Sequence, residues 1–127
     1  MEITCRVYRP RRPLFRRRRE LLSELARAGA EAVKELVRVA CDPADARPGI
    51  VVSVASAGDL LQWHPHLHLI ATDGGRSPDG SWHPLPAWDS ARLMALFRER
   101  LLGSLLDKRA ISQELVRKLL AWRHPGL

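Results

Sequence analysis

The chain has 127 residues, a formal charge of +7, and 46% hydrophobic against 28% charged residues. That length holds at most one domain with a modest core, and the balance describes a folded globular chain and excludes a disordered one. The only two cysteines, Cys5 and Cys41, stand far apart with no CxxC pair, so neither a disulfide framework nor a zinc knuckle is signalled. With no apolar stretch long enough to cross a bilayer and no charged-then-apolar leader, the expected location is the cytoplasm.

Residues 1–13 read as a basic, irregular leader, because Pro10 and Pro13 interrupt any helix, although Ile3 to Tyr8 could form a short strand. Eight arginines lie between Arg6 and Arg19, including the run Arg16-Arg17-Arg18-Arg19, and no acid interrupts them before Glu20. Each arginine that neutralises a phosphate releases a condensed counterion, so such a cluster points to a nucleic-acid backbone. A solvated terminus or an acidic membrane surface would also suit a basic run. The run lacks an apolar helical face alongside, which favours nucleic acid, and Arg11, Arg12, Arg16, Arg17, Arg18 and Arg19 are the expected DNA contacts.

From Leu14 the pattern changes. Leu21, Leu22, Leu25, Ala28, Ala32, Val33, Leu36, Val37 and Ala40 recur at three- and four-residue spacing, which predicts one amphipathic helix ending near Cys41-Asp42-Pro43. A proline- and glycine-bearing loop follows, then a β-prone strand from Ile50 to Ala55, a connection through Gly58, and a second strand from Trp63 to Ala71. Asp73-Gly74-Gly75 and Pro78-Asp79-Gly80 read as turns, with Ser81 to Pro84 as a short edge strand. Asp89 is a candidate N-cap for a helix to about Asp107, burying Leu93, Leu96, Phe97, Leu101 and Leu105, and Ser112 caps a last helix with Glu114 in its first turn. The expected class is α+β: a small antiparallel sheet, one long helix before it and two after. With so few strands the sheet would keep an open edge that invites self-association.

The second strand carries the chemistry. In His64-Pro65-His66-Leu67-His68 three imidazoles recur at two-residue spacing, so an extended backbone projects them from one side and sends Leu67 and Leu69 to the other. At about 6.6 Å between alternate Cα atoms, two such rings can converge on one metal ion. A solvated stripe of histidines on an edge strand is the plainer explanation of the same spacing. His66 and His68 are the preferred ligands, His64 the third, with His83 and Asp59 weaker. Trp63, Trp82 and Trp88 could stack on unpaired bases, although so large a ring more often packs in a core or on a sheet.

Three blocks in order make the sequence recognisable: Gly58-Asp59-Leu60-Leu61-Gln62-Trp63-His64-Pro65-His66-Leu67-His68, Thr72-Asp73-Gly74-Gly75, and Leu120-Ala121-Trp122-Arg123-His124-Pro125-Gly126. Together they resemble the rolling-circle transposases of bacterial insertion sequences, the two-tyrosine group of the HUH endonuclease superfamily, over roughly residues 12–127. The resemblance implies an enzyme that nicks and joins single-stranded DNA at insertion-sequence ends. In such enzymes the His-hydrophobic-His pair, here His66-Leu67-His68, binds Mg²⁺ or Mn²⁺ on a central strand while a tyrosine from a later helix attacks the phosphorus. Family members carry those tyrosines beyond the segment that ends here, and usually an amino-terminal cysteine-rich zinc module; this sequence has neither. Its only tyrosine, Tyr8, precedes the helix and the sheet and is not assigned as the nucleophile. The expectation is a fragment that keeps metal- and DNA-binding parts without the attacking group, inactive alone. A non-catalytic basic DNA-binding domain with structural histidines is the alternative, and a small-molecule phosphoesterase ranks last because few carboxylates lie near the row.

Overall fold

In the computed structural model the described residues are 2–6, 12–41, 45–57 and 63–121. The class is α+β, as the periodicities predict. Strand β1 (Glu2–Arg6) is followed by the short helix α1 (Arg12–Arg17), a 3-10 turn over Arg19–Leu21, and the long helix α2 (Leu22–Ala40). Strands β2 (Ile50–Ala57), β3 (Trp63–Ala71), β4 (Gly74–Arg76) and β5 (Trp82–Pro84) come next, then helices α3 (Ser90–Asp107) and α4 (Gln113–Ala121). The main sheet has the order β1-β3-β2, antiparallel throughout, and β4 and β5 form a separate hairpin. No helix among the described residues is long and apolar enough to cross a membrane.

The core is built on one side of the main sheet. Leu67, Leu69 and Ala71 of β3 are buried, and they join one apolar cluster with Leu25, Ala28, Ala32, Val33 and Leu36 of α2 and Leu93, Phe97, Leu101 and Leu105 of α3. Helix α2 lies against β2 and β3, α3 packs on α2, and α4 on α3. Helix α2 lies tight on the sheet at Gly29, where an added Cβ would stand 2.8 Å from Leu67 Cδ1. A smaller cluster of Val37, Cys41, Ala46 and Leu85 ties the C-terminal end of α2 to the hairpin. Cys41 caps α2 and its Sγ lies 3.6 Å from the His83 carbonyl oxygen, so the thiol sits at the helix end, as its position in the sequence suggests.

The short strand expected near the start forms as β1: it begins one residue before Ile3 and pairs with β3 from Glu2↔Ile70 to Arg6↔His66, and the alternation of Glu2, Thr4 and Arg6 with Ile3 and Cys5 suits a half-buried strand. Two expectations need correction. The helix expected to run unbroken from Leu14 is interrupted at Arg18, whose φ of −123° and ψ of 75° leave the helical region. Phe15 and Leu21 are each 1% exposed. Both join the core cluster, one on either side of the break, and Pro13 is tolerated because it falls in the first turn of α1. Finally, Asp73-Gly74-Gly75 is not simply a turn, since Gly74 and Gly75 open strand β4 and pair with Pro84 and His83.

The later elements follow the sequence closely. Asp89 caps α3, accepting from the Arg92 amide at 2.9 Å, and Ser112 Oγ accepts from the Leu115 amide at 3.1 Å. Between α2 and α3 one acid is buried: Glu24, 3% exposed, accepts from Ser104 Oγ at 2.6 Å, with Lys108 Nζ at 3.4 Å and Arg27 at 3.8 Å. The Ser104 hydroxyl, helped by the Lys108 and Arg27 charges, holds the Glu24 carboxyl below its ordinary value of 4.5 against the opposing effect of burial.

Two measurements check this architecture. Leu67→Ala should cost about 2–5 kcal/mol in urea unfolding, as buried truncations do, whereas Ile70→Ala on the opposite side of the same strand should cost about 1 kcal/mol or less. Because the folded Glu24 pKa is depressed, its contribution is present above 4.5 and is lost as the pH falls through the lower, folded value. Ser104→Ala should therefore lower stability by about 1.5–3 kcal/mol near neutral pH. The gap from wild type should close progressively once the pH drops below 4.5.

Candidate metal and nucleic-acid site

Because β3 is the middle strand, its two sides meet different surroundings. Leu67 and Leu69 are turned to the helices, and alternation sends His66 and His68 to the other side. Across the sheet His68 stands opposite Thr4 of β1 and Ser53 of β2, and His66 stands opposite Ala55, with Arg6 at the matching register position of β1. Ile70 and its β2 partner Val51 continue this side and are 60% and 66% exposed, so solvent reaches it.

The two rings come together. Their centroids are 4.8 Å apart at an interplanar angle of 79°, nearer than the about 6.6 Å between alternate Cα atoms of a strand, so the imidazoles lean toward each other. Nδ1 of His68 lies 3.4 Å from Thr4 Oγ1, a weak contact. In the tautomer whose Nδ1–H donates to Thr4, the Nε2 lone pair is the one left for a ligand. Among the described residues no group of three histidine, cysteine or acidic side chains could hold a metal, so the donor set on view is two imidazoles.

The remaining expected residues are placed as follows. His64 belongs to the β3 backbone, but its side chain lies outside the described residues, as does that of Trp63; Asp59 lies outside them altogether. His83 is on β5 in the other sheet, its Nε2 3.1 Å from Ser81 Oγ. Arg16 and Arg17 occupy the last turn of α1 and are exposed. Arg18 is half-buried and donates through Nε to Glu20 Oε1 at 3.0 Å, and Arg19 is exposed in the 3-10 turn. Arg11 and the Arg12 side chain are outside the described residues, as are Tyr8 and the segment from Trp122 onward. The break at Arg18 thus divides the arginine run between two elements. Trp88 packs partly buried against the core and its Nε1 donates to Asp73 Oδ1 at 3.4 Å, whereas Trp82 is 46% exposed. Thr4 was not among the expected residues; the alternation in Glu2 to Arg6 is the signal that puts it on a strand.

Residues 49–123, which include the whole of β3, match the family described as Putative transposase (Y2_Tnp). Over 99 residues the chain is 37% identical to the transposase for insertion sequence element IS801 of Pseudomonas savastanoi pv. phaseolicola, an alignment that covers 76% of this chain and 23% of that protein. The chain therefore spans less than a quarter of the length of this curated relative. No solved structure matches it. With more than half of its residues inside the family match, and three quarters inside the alignment to a named transposase, the chain belongs to this transposase family.

Proposed function

We propose that this chain supplies the metal- and DNA-binding part of a rolling-circle transposase of the two-tyrosine, HUH endonuclease type, which nicks and rejoins single-stranded DNA at insertion-sequence ends. The observation that carries this is the pair of converging imidazoles, His66 and His68, on the solvent-reached side of the middle strand of a transposase-family chain. Two imidazole nitrogens fit a divalent cation, with His64 as the candidate third donor. When bound, Mg²⁺ or Mn²⁺ draws charge from the oxygens of a scissile phosphate. Nitrogen donors favour Mn²⁺ of the two, because Mg²⁺ prefers an all-oxygen shell.

The other residues bind and orient. Thr4 restrains the His68 ring, as partners of metal-ligating histidines commonly do. Arg16 and Arg17, exposed at the end of α1, offer charge to the DNA backbone without reading bases. Tyr8 is the only tyrosine, and the attacking hydroxyl is assigned instead to a part of the longer transposase that this chain does not include.

Titration with Mn²⁺, followed by electron paramagnetic resonance or calorimetry, tests the site. His66→Ala or His68→Ala should abolish saturable binding while leaving metal-free DNA binding intact, and Thr4→Val should weaken the ion by about tenfold, the lower end for a supporting hydrogen bond. Mn²⁺ binding unchanged in both histidine variants would favour the alternative, a non-catalytic DNA-binding domain with structural histidines. The chain alone should not cut a single-stranded oligonucleotide in Mn²⁺. Cleavage that disappears in Tyr8→Phe would assign the nucleophile to this chain and overturn the division of labour.

A further inference from the structure

The β4–β5 hairpin presents a row of side chains that neither the fold nor the histidine site uses. Arg47 and Arg76 exchange both backbone bonds, Arg47 N to Arg76 O at 3.0 Å and Arg76 N to Arg47 O at 2.9 Å, and Arg76 is paired on its other side with Trp82. Residues directly opposed in antiparallel pairs project from the same side of the sheet. Two guanidinium groups and an indole therefore stand in line across three neighbouring stretches of chain. Since both backbone groups of Arg76 are turned to Arg47, its pairing with Trp82 is the closer, non-hydrogen-bonded kind, with Cα atoms about 4.5 Å apart.

The arrangement carries an electrostatic cost. Arg47 and Arg76 are exposed and Trp82 keeps 46% of its surface in water. Like charges directly across an antiparallel pair repel. Among the described residues neither guanidinium has a hydrogen-bond or ion-pair partner. The acids that flank the row in sequence are already engaged: Asp45 accepts from Ser77 Oγ at 3.1 Å, and Asp79 from the Ser81 amide and hydroxyl at 2.9 and 2.5 Å. Next to Arg76 and Trp82 on the same side comes the pair Gly74 and Pro84, so no long side chain stands beside the row there. The support beneath is firm, because Gly75 presses on Ala46, where an added Cβ would meet atoms at 2.9 Å, and Leu85 packs with Val37 and Cys41 at the end of α2.

We propose that Trp82, Arg76 and Arg47 form a platform for single-stranded DNA, the indole stacking on an unpaired base while the two arginines hold backbone phosphates. An exposed ring has a stacking partner only where bases are unpaired, since a duplex hides its base faces, and the opposed positive charges are relieved by a phosphate. The platform rests on the DNA-binding role proposed above and is independent of the metal.

The test uses the full chain in EDTA, with fluorescence anisotropy of a labelled mixed-sequence oligonucleotide, single-stranded and as its duplex, across a salt series. Arg47→Gln combined with Arg76→Gln should reduce the slope of log K against log salt by about 1.4, from about 0.7 per single-strand phosphate contact. Trp82→Ala should weaken single-strand binding about tenfold with the salt slope and duplex binding unchanged, and Trp82→Phe should restore most of it. Trp82→Leu, apolar but unable to stack, should behave like the alanine variant and keeps the result decisive if alanine loosens the hairpin. If wild type binds the single strand and these variants match it in affinity and slope, or if Trp82→Leu loses duplex and single-strand binding equally, the platform is overturned and the transposase role stands. A wild-type chain that binds no single strand overturns both.

Discussion

Everything in this molecule depends on β3 having two unlike sides. Its leucines must be covered by helices and its histidines must not, and in an extended chain one alternation satisfies both demands. A register slip of one residue would push His66 and His68 against the apolar faces of α2 and α3 and turn Leu67 and Leu69 into water, reversing every favourable transfer at once. The core thus sets the geometry of the site. Two flanking strands add to this, because Thr4 and Ser53 meet His68 at one level from either side.

Helix α2 converts that sheet into a folded unit. It meets β2 and β3 on one side and α3 on another, which is why its buried residues form a broad face from Leu25 to Val37 and why a glycine stands where Leu67 presses on it. Glu24 is the exception in this apolar wall, and it survives burial because a serine hydroxyl and a lysine from the α3 end reach its carboxylate. Burying a carboxylate without such partners would cost several kcal/mol, on the order expected for an unpaired buried charge. The interaction therefore ties the end of α3 to the start of α2.

What the sequence made legible was local. The bounds of β3 and α3, the caps at Asp89 and Ser112, and the shared side of His66 and His68 all follow from spacing within a few residues of each position. The features that escaped depend on distant chain. A short strand near Ile3 could be read locally, but its partner could not: Glu2 to Arg6 pairs with β3, sixty or more residues away. The break at Arg18 lies between two core residues, Phe15 and Leu21, inside a run of arginines with good helix propensity, so nothing local announces it. Gly74-Gly75 looked like a turn because glycines usually mean one, yet here they form a strand whose lack of side chains allows close packing on Ala46 and beneath Pro84. The arginine run could be counted but not placed, and its division between α1 and the 3-10 turn separates residues that the sequence presents as one patch.

The link between the histidine strand and the hairpin is short and heavily bonded. Only Thr72 and Asp73 separate β3 from β4, and both are engaged: Thr72 Oγ1 accepts from the Gly49 amide and donates to the Gly74 carbonyl, each at 2.9 Å, while Asp73 takes the Leu85 amide at 2.8 Å on its carbonyl and the Trp88 indole on its carboxylate. A hinge would leave such groups to water. With these bonds made, the hairpin is tied to the end of β3 rather than hung on a loose arm, so the row of Arg47, Arg76 and Trp82 and the pair His66 and His68 stand on one connected backbone framework.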